Sequence, residues 1–564
     1  MKRLVILFIL LALAGQPLYA QSKLENNFLK LSNEILENLQ AFYPVRSTER
    51  GIHSYDYALA DYSSKAVKSE ISKLRGYEKR LRKYRGTNLS DELKIDYRLL
   101  KCEVDLALHD LQKLKIHTVN PYLYVDKAIT GVYLLLMSGH APLHERAQNI
   151  ISRMKVTPDL LRQAKKNIKK PASIHIRLAR ETALNSHELY TDVKNELSAN
   201  VPELAYEIET AANQAMAAMT DFIEFLDQVI PGENNAYALG KDDFDYKLQY
   251  QYFLDFDSDS LLKIGENMLH WADSMYDTYL AELDSKPAQN ESVFVIDCVS
   301  GQDLLNYYTW EMEQVRLFIE QKGLMTVHGD IGECKIIETP LFLKNVITSI
   351  AYQPPGTFSS DQTGHFYVRS IPDSLDEGKR EAYYRYIHRR GFKGSVVHEA
   401  FPGHHFQYQM ASRHERDIRK WTNNMCFVEG WALYCEEMMY NNGLYGSNER
   451  QYLSVLRGIR FRAARIIADI KLHAHKIDPD EVLAWMADAV DSDTLSLRTE
   501  INWYSLQPTV PMSYLTGKLE IMALKEAVMS KEGDSFSLKQ FHDRLLSEGS
   551  IPPVLFRDIW DLKE

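Results

Sequence analysis

Two histidines and a glutamate form the part of the chain whose residue types could activate water on a metal ion. Residues 398–405 read HEAFPGHH. In the common H-E-x-x-H motif, the two histidines share one face of a helix and one zinc ion, and the glutamate acts as the base. Here His404 follows His398 by six residues, which a regular helix would rotate by about 240°. The spacing therefore excludes an uninterrupted helix as the metal-binding element.

Pro402 and Gly403 explain how the two histidines could still meet. Proline has no amide hydrogen to donate to the carbonyl of His398, and glycine tolerates backbone angles that other residues avoid. A kink or bulge that absorbs two extra residues would return His404 to the side of His398. His405 would lie about 10 Å further along a regular helix. We therefore predict His404 as the ligand, with His405 as the alternative ligand or as a contact of a ligand or substrate.

A third ligand is predicted in the apolar run 427–434, which contains one acid, Glu429, 25 residues after His404. An ionised carboxylate is costly in such surroundings unless it is paired or bound to metal. In zinc hydrolases with two histidines and one glutamate, the glutamate commonly lies on a following helix. The prediction is one Zn²⁺ held by His398, His404 and Glu429, with Glu399 as the base. Surface histidines at a polar helix end are the competing interpretation.

HEAFPGHH and the later EGWALY at 429–434 resemble the bacterial family known as domain of unknown function 885. The resemblance covers most of the chain. That family is similar to helical zinc peptidases such as thimet oligopeptidase and angiotensin-converting enzyme, and dipeptidyl peptidase III has a related motif lengthened by one residue. The resemblance implies a gluzincin-type metallopeptidase.

Further candidates lie downstream of the two motifs. Arg465, Asp469 and His473 are spaced four residues apart and so share one helix face, although a salt-bridged surface stripe would show the same spacing. The resemblance implies that Asp469 orients a metal-bound imidazole and that His473 faces the substrate. It also implies that Tyr514 stabilises the oxyanion, with His473 as the alternative donor, and that Arg465 and Tyr504 lie near the ligands or substrate.

A short β segment upstream of the motif includes Gly364, His365 and Phe366. Such a segment could be a sheet edge that pairs with an extended peptide substrate. An ordinary edge strand without a binding role is the alternative.

Helical periodicity dominates the elements that must position these residues. Ser90 is a predicted N-cap followed by an apolar stripe from Leu93 to Leu111, and further helices are predicted at 202–230 and 376–390. Short strands are predicted at 293–296, 336–337, 347–352 and 365–369. We expect a mainly α, two-lobed fold with a small sheet beside the active-site helix and a deep cleft. The predicted lobes are 21–231 and the catalytic 232–564, joined in one continuous fold.

The N-terminus predicts an exported protein. Basic Lys2 and Arg3, an apolar segment 4–14 and a small-residue end at Ala20 are typical of a signal peptide over residues 1–20. Gln16 stands where a lipoprotein would need cysteine. We therefore expect a periplasmic or extracellular protein that is not a lipoprotein and does not stay inserted in the membrane. The formal net charge of −11 argues against nucleic acid as a partner.

These observations predict an exported zinc-dependent metallopeptidase that hydrolyses short peptides through a metal-activated water. One alternative is a catalytically inactive helical scaffold that binds peptides. Another is a zinc hydrolase of cell-wall peptides or other non-protein amides.

Overall fold

The structure is a computed structural model that describes residues 2–285, 301–340, 350–369, 392–446 and 448–562, with isolated positions 376, 378 and 380, and without the side chains of residues 2–21 and Ser496. Within these residues the chain is mainly α-helical with one three-stranded sheet, which confirms the prediction of a mainly α fold with a small sheet. The predicted strand at 293–296 lies outside the described residues, and so does the predicted helix at 376–390 apart from positions 376, 378 and 380.

The N-terminal part of the chain is a set of packed helices. The predicted stripe on one of them is buried at Leu93, Leu100, Val104 and Leu108. Ser90 immediately precedes that helix but its side chain makes no capping hydrogen bond. The helices are α1 Lys2–Phe42, α2 Pro44–Glu49, α3 Ser64–Leu81, α4 Asp91–Leu108, α5 Ile116–Val119, α6 Tyr122–Met137, α7 Leu143–Asn167, α8 Ser173–Asn200 and α9 Ala205–Gln228.

The C-terminal part holds the strands and the helices that carry the candidate ligands. Among its helices, α11 packs on α17 and α16 packs on α20. The elements are α10 Lys241–Gln251, α11 Ser258–Ser285, α12 Gly301–Lys322, β1 Cys334–Glu338, β2 Ile350–Gln353, β3 Gly364–Val368, α13 Phe392–Glu399, α14 His404–Ser412, α15 Asp417–Trp421, α16 Met425–Asn441, α17 Gln451–His473, α18 Pro479–Ala489, α19 Thr494–Leu506, α20 Ser513–Glu532, α21 Leu538–Ser547 and α22 Leu555–Ile559.

The sheet corrects one prediction about the substrate. Its strand order is β1-β3-β2, with β1 parallel and β2 antiparallel to β3. Phe366 of β3 is therefore paired with Ile336 on one side and Tyr352 on the other. The prediction that Gly364, His365 and Phe366 form a free edge for an extended peptide is wrong, because the main-chain groups of a central strand are already used by its neighbours.

The largest hydrophobic core contains side chains from before and after residue 231, such as Val132 and Trp431. Buried polar contacts also cross this position. Arg419, whose side chain is fully buried, donates to Asp96 at 2.8 Å and to Glu548 at 2.9 Å. The proposed division into lobes at this residue stays a prediction.

None of the described helices is both long enough and apolar enough to span a membrane.

Candidate metal centre

His398 and His404 lie on two separate helices. His398 is the penultimate residue of α13, and His404 is the first residue of α14. The amides of Ala400 and Phe401 both donate to the Val396 carbonyl, which closes the first helix. We expected a kink or bulge in one helix, and the structure instead shows a complete break. Because the second helix starts afresh, the spacing of six residues no longer sets the angle between the imidazoles.

Gly403 makes the sharp return possible. A Cβ atom at this position would lie 1.9 Å from the carbonyl oxygen of His398 and 2.4 Å from that of Val397. Such distances are far inside van der Waals contact, so only glycine fits between the two helix ends. The Pro402 carbonyl accepts a hydrogen bond of 2.8 Å from the indole of Trp431. The loop between the histidines is thereby fastened to α16.

Glu429 on α16 completes the cluster. Its Oε2 atom lies 3.6 Å from Nε2 of His398 and 3.4 Å from Nε2 of His404. The two imidazole rings are nearly perpendicular, at 86°, with their centroids 4.8 Å apart. The structure therefore brings together the three residues predicted as ligands, with donor atoms within 4.8 Å of one another.

These separations fit ligand atoms around a shared ion better than direct hydrogen bonds. Bonds of about 2.0–2.1 Å at tetrahedral angles place ligand atoms about 3.4 Å apart. Hydrogen bonds from ring nitrogen to oxygen are shorter, about 2.7–3.2 Å. Within the described part of the chain, Glu429 Oε2 is buried and has no hydrogen-bond partner. A buried carboxylate oxygen without a partner is costly, and a cation bound beside the two imidazoles would offset that cost.

Glu436, two turns after Glu429 on α16, orients His398. Its carboxylate accepts a hydrogen bond of 2.8 Å from Nδ1 of His398, which leaves Nε2 directed at Glu429. Arg462 lies 3.4 Å from the same carboxylate oxygen. The pKa of Glu436 is lowered to about 2, because the charge of Arg462 and the bond to His398 outweigh burial. Glu436 is therefore ionised at neutral pH.

The centre stabilises buried positive charge. Burial disfavours the imidazolium, but Glu429 and Glu436 outweigh it and raise the pKa of His398 to about 9. Burial would raise the pKa of Glu429, but the adjacent His404 and His398 hold that pKa well below its usual range. The same carboxylates that favour a proton on His398 would favour a cation in its place.

The structure excludes His405 as the alternative ligand. Its Nδ1 lies 2.8 Å from the hydroxyl of Tyr352 on β2, and its Nε2 lies 2.9 Å from the Gly332 carbonyl. Both ring nitrogens are thus used by protein groups, and the side chain is fully buried. Burial lowers the pKa of His405 to about 4, so it is neutral. His405 connects the start of α14 to the sheet.

Asp469 does not orient an imidazole, so that prediction is wrong. Its two carboxylate oxygens accept hydrogen bonds from the main-chain amides of Thr509 and Met512, each at 3.2 Å. Burial raises the pKa of Asp469 to about 8, against the effect of these two bonds. Asp469 instead shapes the turn that leads into α20 and Tyr514.

His473 does not face a substrate site, and this prediction is also wrong. The side chain is fully buried, and its Nε2 lies 2.9 Å from the Tyr504 carbonyl. Its ring packs edge-on against Tyr237, with the centroids 5.4 Å apart. Burial lowers its pKa to about 4. Asp469 and His473 are four residues apart and so lie on the same face of α17. That face contacts the end of α19 and its connection to α20.

Tyr514 lies beside the cluster. Its ring is parallel to that of His398 within 8°, with a centroid separation of 6.4 Å. Burial raises its pKa, and the negative charge of Glu429 adds to the effect. The hydroxyl is therefore protonated at neutral pH and can donate a hydrogen bond. In the part of the chain that the structure describes, it has no side-chain partner.

Arg465 supports Tyr514 from α17. Its guanidinium lies 4.6 Å from the centroid of the Tyr514 ring. It also donates to Glu500 at 2.8 Å and to the Tyr504 hydroxyl at 3.1 Å. The Tyr504 hydroxyl in turn donates to Glu500 at 2.7 Å. The predicted residues Arg465 and Tyr504 thus belong to a buried network next to Tyr514.

Close approach of α16 and α20 places Tyr514 near Glu429. A Cβ atom on Gly430 would lie 2.4 Å from the main chain of Gly517, and one on Gly517 would lie 1.8 Å from the Cys426 carbonyl oxygen. The two helices therefore touch backbone to backbone through glycine. Tyr514 is one turn before Gly517, and Glu429 is next to Gly430, so this contact sets the distance between them.

Glu399, the predicted base, is the last residue of α13 and is 9% exposed. Its charge acts on the adjacent His398. None of the described residues forms a hydrogen bond or ion pair with its carboxylate. A nearly buried carboxylate without a protein partner is available to accept a proton from water.

The comparisons with known proteins identify a family. The model of the family described as "Bacterial protein of unknown function (DUF885)" matches residues 44–559. The chain belongs to the DUF885 family. The match confirms the family resemblance of the two sequence motifs. No curated protein matches the chain.

Two solved structures share the fold of this DUF885 chain. One is a presumed lipoprotein of unknown function from Shewanella oneidensis, with a TM-score of 0.74 and 19% identity, covering 94% of this chain and 99% of that one. The other is a presumed lipoprotein from Colwellia psychrerythraea, with a TM-score of 0.78 and 16% identity, covering 95% of this chain and 98% of that one.

These descriptions correct the predicted localisation. Both similar structures are presumed lipoproteins, which contradicts the prediction of an exported protein that is not a lipoprotein. The part of the prediction that is overturned, the exclusion of a lipoprotein, rested on Gln16.

Sequence reasoning missed Glu436, Trp431 and Gly517. Glu436 could have been found, because it follows Glu429 by seven residues and so lies on the same helix face. Trp431 and Gly517 gave no comparable signal. Their roles depend on which helices touch, and helix contacts are not encoded in local spacing.

Proposed function

We propose that this DUF885 protein is a metal-dependent hydrolase of peptide bonds, with Zn²⁺ as its ion and short peptides as its substrates. The observation that carries the proposal is the unpartnered Glu429 Oε2, which lies 3.4 and 3.6 Å from the two imidazole nitrogens. Zinc hydrolase centres use two histidines and one glutamate as ligands, together with a second glutamate as the base. Here the second glutamate is Glu399, next to His398.

His398, His404 and Glu429 would hold the ion through Nε2, Nε2 and Oε2. A divalent ion bound there supplies Lewis acidity, which makes water more acidic and polarises a carbonyl group. Glu436 keeps the His398 ring in the tautomer that presents Nε2, because Nδ1–H donates to its carboxylate. The fit therefore extends from the ligands to the residue that orients one of them.

Glu399 acts as the base and then as the acid. Its carboxylate takes a proton from the attacking water as the water oxygen adds to the peptide carbonyl. It then delivers that proton to the leaving amine as the carbon–nitrogen bond breaks. This role requires a carboxylate that is not engaged elsewhere, which agrees with the absence of a partner for Glu399 among the described residues.

Tyr514 donates a hydrogen bond to the oxyanion that forms on the attacked carbonyl. Its position next to His398 and its raised pKa support this role, because a phenol stays protonated there. Arg465 holds the ring in place through its contact of 4.6 Å. The role shared between Tyr514 and His473 in the sequence prediction thus falls to Tyr514.

A peptide library tests the proposal. Chelator-treated chain should be inactive, zinc should restore cleavage, and Glu399→Gln should reduce the rate by at least about 10²-fold, as expected for loss of a general base. Glu415→Gln removes an exposed carboxylate after α14 and should leave the rate unchanged.

The same experiment separates the alternatives. A peptide-binding scaffold without catalysis would retain peptides and cleave none of them, with or without zinc. A hydrolase of cell-wall peptides or other non-protein amides would cleave those amides in a zinc-dependent way and leave ordinary peptides intact. Equal activity of Glu399→Gln and the unaltered chain would contradict the mechanism.

A further inference from the structure

A second group of metal-binding side chains lies outside the proposed catalytic centre. His53 and Asp56 follow α2, and His140 lies between α6 and α7. Asp56 Oδ2 lies 2.7 Å from Nδ1 of His53 and 3.5 Å from Nε2 of His140. The donor atoms of the three residues all lie within 4.8 Å of one another. We propose that His53, Asp56 and His140 bind a second divalent ion of the first transition row, such as Zn²⁺.

The donor set and its spacing fit such an ion. Two imidazoles and one carboxylate are ligands that zinc and its neighbours accept. Metal bonds of about 2.0–2.1 Å at octahedral to tetrahedral angles place ligand atoms about 2.9–3.4 Å apart. The separation of 3.5 Å between Asp56 and His140 is close to that range. The 2.7 Å between Asp56 and His53 is a hydrogen bond, which the ion would replace by moving the two atoms a few tenths of an ångström apart.

Groups around the cluster orient two of the three ligands. Nδ1 of His140 lies 2.7 Å from the Ser138 hydroxyl. When the ring proton is on Nδ1 and is donated to this hydroxyl, Nε2 carries a lone pair on the side of Asp56. The far oxygen of Asp56, Oδ1, accepts a hydrogen bond of 2.6 Å from Thr48. That bond turns Oδ2 toward the imidazoles. Metal ligands commonly have such outer partners, which fix their tautomer and direction.

Arg153 places a buried positive charge beside Asp56. Its guanidinium is fully buried, and one nitrogen lies 3.7 Å from Asp56 Oδ1. Its other contacts are the Ala58 and Gly131 carbonyls and the Thr48 hydroxyl. A buried carboxylate is costly when alone and stable beside such a cation. Arg153 approaches only the oxygen that faces away from the imidazoles.

The two imidazoles are stacked. Their centroids are 3.4 Å apart and their planes differ by 4°. A shared ion requires one ring to tilt, because parallel rings present parallel lone pairs. Nε2 of His53 has no partner among the described residues, so tilting that ring breaks no bond at this atom.

The cluster is open on one side. His53 lines a cavity of about 60 Å³ together with Ser138, Asp361 and His365. A cavity needs about 10–15 Å³ of such volume to hold a water molecule, so this cavity can supply water ligands. Asp361 comes close to the main chain beside His140, because a Cβ on Gly139 would lie 2.2 Å from its carboxylate. The cavity therefore adds oxygen atoms next to the proposed ion.

Zinc stoichiometry tests the proposal on the full chain. After saturation with Zn²⁺ and desalting, metal analysis should find one ion fewer in His140→Ala than in the unaltered chain. His404→Ala should also lose one ion, and the double variant should retain none. The control His144→Ala removes a half-exposed histidine from the adjacent helix, 48% exposed, and should lose no ion. Thermal unfolding of each variant checks that it is folded.

The outcomes separate this proposal from the proposed function. If His140→Ala and His53→Ala keep full stoichiometry, the cluster is only a hydrogen-bonded contact and the proposal is wrong. If His404→Ala alone keeps full stoichiometry, the catalytic centre fails while the second site stands. If His140→Ala does not fold, Co²⁺ binding to His404→Ala is measured instead, because that variant keeps the proposed second site. An absorption band from bound Co²⁺ supports the second site, and no bound cobalt contradicts it.

Discussion

Replacement of Glu436 by glutamine should weaken zinc binding at the proposed catalytic centre without removing a ligand. Glutamine keeps the shape of the side chain and an oxygen that can accept from Nδ1 of His398, now 2.8 Å away. It removes the negative charge, and it leaves Arg462, 3.4 Å from that carboxylate, unbalanced beside the ion. Loss of such an outer partner costs about 10- to 100-fold in metal affinity, or about 1.4–2.8 kcal/mol. Because both effects oppose a cation, we expect the upper part of this range.

The assay is competition for zinc with a chromophoric chelator at fixed pH and ionic strength. Glu437→Gln is the matched control, since it removes a carboxylate from the next position of α16 that pairs with Lys518. Its zinc affinity should stay within about twofold of the unaltered chain. Unchanged affinity in Glu436→Gln would refute the role of this residue. Equal weakening in both variants would show that overall charge matters and the bond to His398 does not.

Three further predictions follow from the packing. Gly403→Ala should lose zinc binding, because its methyl group would lie 1.9 Å from the His398 carbonyl oxygen, whereas Gly394→Ala, whose methyl group would meet only a hydroxyl at 3.8 Å, should bind zinc normally in the same titration. Gly517→Ala should destabilise the fold by about 2 kcal/mol or more in denaturant unfolding, because its methyl group would lie 1.8 Å from a main-chain carbonyl oxygen of α16. The pKa of Asp469 is raised to about 8, so its contribution to stability falls as the pH rises from its ordinary pKa to about 8. Asp469→Asn should therefore lose less stability than the unaltered chain between pH 5 and 8, and an equal loss would contradict the buried state of this carboxyl group.

The cluster of His398, His404 and Glu429 could be predicted because the evidence for each residue is local. A glutamate beside a histidine, a Pro-Gly pair before the next histidine and one acid in an apolar run each have a physical meaning within a few residues. The helical fold was also predictable, since periodicity reports which face of each helix is buried. What the sequence could not supply was the form of the break. Pro402 and Gly403 are compatible with either a bend or an end of the helix, and the Trp431 indole that contacts this loop comes from a helix later in the chain.

The errors at Asp469 and His473 have a common physical cause. Their spacing correctly places both side chains on one face of α17. Spacing does not say what that face meets, and here it meets the α19–α20 connection through main-chain groups of Tyr504, Thr509 and Met512. A buried acid or histidine can be satisfied by main-chain amides and carbonyls as well as by a metal site. Residue types and their periodicity along the helix do not distinguish a residue satisfied by main-chain groups from one at a metal site.

The sheet shows the same limit for strands. A strand at the edge and a strand in the centre have similar sequences when both are short and half-buried. β3 lies between two partners because β1, earlier in the chain, pairs parallel to it, and a parallel pairing requires a long connection that local signals do not reveal.

Because a spacing of six residues separates His398 from His404, the positions of the candidate ligands depend on three helices instead of one. In an uninterrupted helix, 3.6 residues per turn fix the position of both imidazoles. Here α13 and α14 are joined only through a glycine-dependent break, and α16 contributes Glu429, the carboxylate that orients His398 and the indole that holds the loop. The geometry of the ligands is therefore set by packing of α16 against both histidine helices. Substitutions within α16 should consequently affect zinc affinity, measured by the same chelator competition, more than substitution of Lys393, a partly exposed residue of α13.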